Sequence, residues 1–269
     1  MRSLWHITGS IWLLLFTAVE ISSAVTDPFP SVAASYIVQA DGKTLWAHKP
    51  NRRLPPASLT KIMTALLVLE KGRLDDVITV SRSAVAETGT RLGLKTGERI
   101  RVSYLLAATV LQSANDACHA LAEYVGETEK GFIALMNHRA KELGMKDTHF
   151  TNACGHDHPK HYSTAHDLLV LSGTAMKNRL FAELAGMIFT RIDTADGKRI
   201  FHLENKNELI GRYPGTIGVK TGFTSAAGKC LIVLAERKKT KVLLVLLNAP
   251  DRWWDAVAIL DKAFTRTGP

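Results

Sequence analysis

Ser58 and Lys61 stand three residues apart at the entrance to an apolar run, Ile62 to Leu69. In a helical turn that spacing puts hydroxyl and amine on one face, within reach of each other. Apolar neighbours disfavour the ammonium form, and a neutral amine can take the proton of a serine nucleophile. Unpaired backbone N–H groups at a helix start can also stabilise an oxyanion. The alternative is that Ser58 merely caps a core helix. A second pair, Ser113 and Asn115, could relay a proton and hold a substrate amide. Here too a plain helix cap is the competing reading. Lys220-Thr221-Gly222 ends an apolar strand-like segment, where glycine admits a ligand backbone and the lysine and threonine suit a carboxylate. A second Lys-Thr-Gly, Lys95 to Gly97, lies in a polar turn with no strand leading into it.

The surrounding pattern supplies elements to carry these groups. Pro55-Pro56 resists helical continuation from upstream, and Lys61 to Lys71 is rich in helix formers with few polar positions, so a central, buried helix is expected. Tyr36 to Ala40 and Thr44 to His48 flank Asp41-Gly42 as a hairpin. Val77 to Val80 reads as a short strand, and residues 81 to 102 as loop with at most one helical turn. Ser103 to Val125 has helical periodicity broken at Ser113 to Asn115, since asparagine and aspartate favour caps over interiors. Thr128 should cap a helix closed by Gly144, and Ser163 to Ala165 should open another over His166 to Met176. Strands are expected at Ile188 to Ile192, Val219 to Gly222, Cys230 to Ala235 and Val242 to Leu247, with a closing helix over Asp251 to Phe264. Strands at both ends with helices between fit one α+β domain whose sheet needs both ends of the chain.

The 269 residues and 46% hydrophobic content suffice for a sizeable core. Residues 1–24 pair a basic start with a short apolar segment and a small-residue exit at Ser22-Ser23-Ala24, the pattern of a secretory signal cleaved after Ala24. An uncleaved anchor is the alternative. The net charge of +9 favours anionic surroundings such as a cell-wall polymer, and no groove-reading motif or zinc-finger spacing supports nucleic acid. Cys118, Cys154 and Cys230 lack metal spacing; they are expected as small buried hydrophobes, with one disulfide as the alternative. His156, His158, His161 and His166 lack a zinc signature as well. No metal or cofactor is expected.

The motifs occur in the order Ser-x-x-Lys, Ser-x-Asn, Lys-Thr-Gly, a set associated with penicillin-binding proteins and class A β-lactamases. From about residue 30 to 265 the chain resembles the low-molecular-mass penicillin-binding proteins of the D-alanyl-D-alanine carboxypeptidase type. The resemblance rests on Pro56 to Ala65, Ser113 to Ala117, His161 to Ala165 and Gly218 to Thr224. It implies a β-lactamase/transpeptidase-like α+β fold, a five-stranded antiparallel sheet flanked by helices with a helical lobe, and a site between sheet edge and lobe. It also implies that Ser58 attacks a D-alanyl-D-alanine bond with Lys61 as base. Ser113 would relay the proton and Asn115 would bind the substrate amide. Lys220, Thr221 and Gly222 would line the carboxylate side. The N–H groups of Ser58 and Phe223 would form the oxyanion hole, and Arg252 would bind the carboxylate.

The resemblance further implies peptidoglycan stem peptides as substrate, β-lactams as acylating inhibitors and an exported, periplasmic or extracellular location. Residues 25–269 are expected to form one unanchored peptidase domain with no β-rich second domain. Cys154 and His156 depart from what relatives commonly carry. The competing readings are an endopeptidase that opens crosslinks and a sensor that acylates without turnover. A β-lactamase is disfavoured, because no clear deacylating glutamate motif is found.

Overall fold

The computed structural model describes residues 27–267; the signal segment expected over residues 1–24 lies outside them. Five strands form the main antiparallel sheet: β1 (Ser35–Ala40), β2 (Lys43–His48), β7 (Thr216–Thr224), β8 (Gly228–Arg237) and β9 (Thr240–Leu247), in the order β2-β1-β9-β8-β7. The amino-terminal hairpin therefore docks on the last strand, with Ile37 opposite Val245. This is the α+β architecture expected from a sheet that needs both ends of the chain.

Unlike a half-exposed strand, β9 is apolar on successive residues because both its faces are covered. Val242, Leu244 and Leu246 pack towards Ala256, Ile259 and Leu260 of α8 (Arg252–Thr267). Val245 and Leu247 belong to the core on the opposite side, which contains α1 (Lys61–Lys71). In α1, Ile62, Met63, Ala65, Leu66, Leu67 and Val68 are all buried, so the helix is surrounded, as its lack of a polar face requires. Each of the large side chains contributes roughly 1.5–3 kcal/mol by leaving water.

The helical lobe is built from α2 (Arg82–Ala86), α3 (Val102–Ala107), α4 (Asn115–Gly126), α5 (Glu129–Glu142), α6 (Ala165–Ala175) and α7 (Arg179–Gly186). Caps set several starts: the hydroxyls of Thr128 and Thr164 accept from the N–H groups of Gly131 and Asp167. Two small hairpins complete the chain, β3 (Val77–Thr79) with β4 (Arg99–Arg101), and β5 (Phe189–Asp193) with β6 (Ile200–Glu204). The strand β4, inside the stretch read as loop, is held by pairing with β3, not by its own three residues. Neither α7 nor β6 was expected. Asn178 caps α7 through the N–H of Phe181, and β6 buries only Phe201 and Leu203. Among the described residues no helix is long and apolar enough to cross a membrane.

The cysteines correct the favoured expectation. Cys118 on α4 and Cys154 are disulfide-bonded, and Cys230 is a buried free thiol. Their Cα atoms lie 6.0 Å apart although 36 residues separate them, a proximity that only the packed fold creates.

Glycine backbones fix one close approach. A Cβ on Gly155, whose φ is +90°, would lie 1.9 Å from the carbonyl oxygen of Ala57. Gly173, inside α6, has open space around its missing Cβ. Gly155→Ala is therefore expected to cost more than about 2 kcal/mol, while Gly173→Ala should stabilise by about 0.5–1 kcal/mol. Urea unfolding of the two variants checks both signs.

Candidate active site

A 3-10 turn, Ala57–Thr60, leads into α1 and delivers Ser58 and Lys61 to the junction of sheet and lobe. Ala57 has φ +50°, a left-handed conformation that a non-glycine residue adopts only when its surroundings impose it. Those surroundings are the backbones of Gly155 and Gly222, whose added Cβ atoms would meet Ala57 at 1.9 and 3.1 Å. Ser58 is not a helix cap, because no side chain caps either the turn or α1.

Lys61 is 1% exposed, and its Nζ donates to the Ser58 Oγ at 3.2 Å, the Asn115 Oδ1 at 2.6 Å and the Cys154 carbonyl at 2.6 Å. Three acceptors match the three hydrogens of an ammonium, so the buried cation is fully paired. Burial nevertheless pushes its pKa well below that of an ordinary lysine, and the nearby charge of Lys220 adds to the fall, against a smaller opposing pull from Glu87. Of the three contacts, the serine's is the longest. Loss of one proton leaves a lone pair that can take the Ser58 hydrogen while the other two bonds persist.

Both partners of the amine are themselves held. The Nδ2 of Asn115 donates to the Thr88 carbonyl at 2.5 Å, and its backbone N–H donates to the carbonyl of Thr90 at 2.7 Å. Asp116 accepts from the N–H groups of Leu92, Gly93 and Leu94, fixing the neighbouring loop. The Cys154 carbonyl is placed by the disulfide and by Asn152, whose Oδ1 accepts from the N–H groups of Cys154, Gly155 and His156. The disulfide thus joins α4, which supplies Asn115, to the loop that supplies the other strong acceptor. That coupling was not visible in the sequence motifs.

Ser113 sits at the break foreseen in the long helical stretch, by an unforeseen device. A π-helical segment, Ala108–Gln112, precedes it, and Ser113 itself is left-handed at φ +62°. The break lets a buried serine leave the helix line two residues before Asn115 begins α4. On the sheet side, β7 carries Lys220, Thr221 and Gly222, all buried, and the more exposed Phe223. The Lys220 Nζ donates to the Thr221 carbonyl at 3.2 Å. Burial, helped by the charge of Arg252, lowers its pKa to about 7. Arg252 donates through Nη1 to the carbonyls of Gly222 at 2.8 Å and Cys230 at 3.2 Å, and its guanidinium stacks on Trp253. It therefore adjoins the Lys-Thr-Gly segment, and its buried Nε has no partner among the described residues. Lys220 and Arg252, close enough for the charge of one to act on the other, suit an anionic group better than a neutral one.

The histidine-rich loop divides. His161 is a core residue: its Nε2 meets the Thr60 hydroxyl at 2.9 Å while its Nδ1 accepts from the Thr151 N–H at 3.0 Å. Since that hydroxyl already donates to the Ala57 carbonyl, Nε2 carries the hydrogen. Burial, with the charges of His149, His158 and His156, lowers the pKa of His161 to about 4, in keeping with a neutral ring. His156 instead contacts Glu87 at 2.5 Å.

The profile of the D-alanyl-D-alanine carboxypeptidase family matches residues 23–251. The chain belongs to that family. It is 35% identical to the D-alanyl-D-alanine carboxypeptidase DacF of Bacillus subtilis over 87% of this chain, and spans 62% of that relative's length. A D-alanyl-D-alanine endopeptidase of Pseudomonas aeruginosa is 29% identical over 87% of this chain and 80% of its own. The DD-transpeptidase of Streptomyces K15 superposes with a TM-score of 0.82 at 32% identity, over 90% of this chain and all of that one. The family's motif order thus lies on matching architecture.

Replacing both Cys118 and Cys154 by alanine opens a loop of 36 residues and is expected to cost roughly 3–4 kcal/mol, a fall of about 10 °C in Tm. Calorimetry with and without reductant checks this: reductant should lower the Tm of the native chain and leave the double variant unchanged.

Proposed function

We propose that this chain is a serine-type D-alanyl-D-alanine carboxypeptidase that removes the terminal D-alanine from peptidoglycan pentapeptide stems. The observation that carries the reading is the buried Lys61 amine, hydrogen-bonded to Ser58 and shifted towards its neutral form. The Ser58 Oγ attacks the carbonyl carbon of the scissile bond and gives its proton to the neutral amine. The oxyanion lies against the N–H groups of Ser58 and Phe223. As the C–N bond breaks, Ser113 passes a proton from Lys61 to the leaving D-alanine nitrogen, giving an acyl-enzyme. Water, deprotonated by the same amine, attacks the ester carbonyl; the bond from that carbon to the Ser58 Oγ breaks and the amine returns its proton to the Oγ, releasing the shortened stem as its carboxylic acid and restoring the free serine.

In this reading Asn115 aligns the substrate amide, in addition to orienting Lys61. Lys220, Thr221 and Arg252 hold the free carboxylate, while Gly222 serves a different purpose from the one its sequence suggests: without a side chain it lets the Ala57–Ser58 turn lie against β7. A β-lactam would acylate Ser58 by the same attack. Residues 25–269 would act as one peptidase domain, with residues 1–24 as the leader of an exported enzyme working at the cell wall.

One observation favours a second reading, cleavage of crosslinks between stems: the similarity to the Pseudomonas aeruginosa endopeptidase. An endopeptidase must leave the carboxylate side open for a second chain, whereas here it is lined by cations. This favours trimming.

Labelled penicillin is expected to form one adduct, at Ser58. Ser58→Ala should abolish it and Lys61→Ala should nearly do so; an unlabelled, folded native chain would refute the reading. Arg252→Ala should slow pentapeptide trimming about tenfold or more, as loss of a charge-assisted bond worth roughly 1.5–3 kcal/mol implies. Faster release from crosslinked dimers than from pentapeptides would select the endopeptidase instead.

The charge on Lys220 exists below its folded pKa and is lost as pH rises through it. In the free enzyme, kcat/KM on pentapeptide is therefore expected to gain an alkaline decline near pH 7. Lys220→Arg, permanently charged, should remove that decline. A native pH profile flat from 6 to 9 would exclude Lys220 as the titrating carboxylate ligand.

A further inference from the structure

Behind the lysine's two strong acceptors, a second cluster of functional side chains lies between α2, α4 and α5. The Nδ1 of His119 is 2.7 Å from the Glu87 Oε1 and 3.8 Å from the Glu129 Oε2. One ligand atom from each of these residues fits within a group whose members lie no more than 4.8 Å apart. The other polar atom of every member is tied outward. The Oε2 of Glu87 meets the His156 Nε2 at 2.5 Å. The Nε2 of His119 faces the Glu123 Oε1 at 3.4 Å, and the Oε1 of Glu129 accepts from the Ala153 N–H at 3.1 Å.

Among the described residues, the Oε2 of Glu129 makes no hydrogen bond, so the inward atoms answer chiefly to one another. Three inward donors, each oriented from behind by a carboxylate, imidazole or backbone N–H, is how protein metal centres fix their ligands. The Glu87 and His119 side chains are 12% and 10% exposed, whereas Glu129 is 30% exposed, which leaves a way in from the α5 side.

We propose that Glu87, His119 and Glu129 form a site for one divalent transition-metal ion of the zinc type. One imidazole nitrogen and two carboxylate oxygens suit such an ion, with water completing the shell. On binding, the ion takes the place of the hydrogen between His119 and Glu87, and the His119 hydrogen resides on Nε2, facing Glu123. His156 acts as a positioning residue through Glu87.

The site has a structural consequence for the cleft. Glu87 immediately precedes Thr88, whose carbonyl fixes Asn115, and Glu129 holds Ala153, beside Cys154. An ion here clamps together the segments that present both strong acceptors to Lys61. It does not touch the reacting atoms.

The test uses the full chain, stripped with chelator, dialysed and titrated with zinc chloride by calorimetry. Saturable binding of one ion per chain is expected, with Tm raised by about 5 °C or more at a hundredfold excess over Kd. Glu129→Gln, which keeps an acceptor for the Ala153 N–H, should weaken binding at least tenfold, and His119→Gln should abolish it. His158→Gln, on the exposed loop, should leave it intact. Cobalt(II) supplies a second readout: visible absorption bands in the native chain that Glu129→Gln loses. This reading holds even if His119→Gln fails to fold, since Glu129→Gln and the cobalt spectrum decide it. Absence of saturable binding, or one-to-one binding that Glu129→Gln leaves unchanged, would overturn the assignment.

Discussion

A lysine amine taken almost wholly out of water has to find acceptors or lose its charge, and much of the chain from residue 58 to 156 is arranged around that demand at Lys61. Its acceptors come from three segments distant in sequence: a turn, the start of α4 and a loop carbonyl. Each acceptor is then secured by a different kind of bond. Ser58 is fixed by the wedge of Ala57 between two glycines, Asn115 by backbone carbonyls, and Cys154 by a covalent crosslink. Removing any one of these supports would leave a buried donor unpaired, which costs more than the contact itself contributes.

The same demand explains where local rules are broken. Ala57 and Ser113 are left-handed without being glycine, and a π-helical segment interrupts an otherwise regular helix. All three irregularities converge on the proposed catalytic groups, where backbone strain is tolerated because it aims a side chain. The accumulation of Lys61, Lys220 and Arg252 is a further departure. Neighbouring positive charge helps depress both amines, and a carboxylate entering the cleft would relieve that repulsion.

How much of this could be read beforehand depended on range. Ser58 and Lys61 were legible because helical geometry alone relates residues three apart. The break before Asn115 was legible because asparagine and aspartate are poor helix-interior residues, though nothing local distinguished a π-helical segment from an ordinary cap. The hairpin at Asp41-Gly42 and the apolar strands of the sheet also carried local signals. By contrast, Cys118 and Cys154, or Glu87 and His119, meet only because α4 packs as it does. Short elements fared worst: β4, three residues long, owes its form to pairing with β3. Two others did carry local signals, β6 in the alternation of Phe201 and Leu203 with polar or exposed neighbours, and α7 at its start. Asn178, followed by Leu180, Phe181 and Leu184, is a cap-and-stripe signal that a closer reading would have found.

The place of β9 also bears on when this molecule can exist. It is the middle strand of the sheet yet the last to be synthesised, and the hairpin at the opposite end of the chain pairs with it across some 200 residues. Until residue 247 is available, β1 and β8 lack their common neighbour and the cleft has no complete sheet wall. Assembly is therefore dominated by non-local contacts, and the sheet cannot close before β9 has been made. A polypeptide in that condition stays threadable while it is being made. For an enzyme whose proposed workplace lies beyond a membrane, late closure of the sheet leaves the chain without a finished fold, and its proposed nucleophile without a complete site, for most of its synthesis.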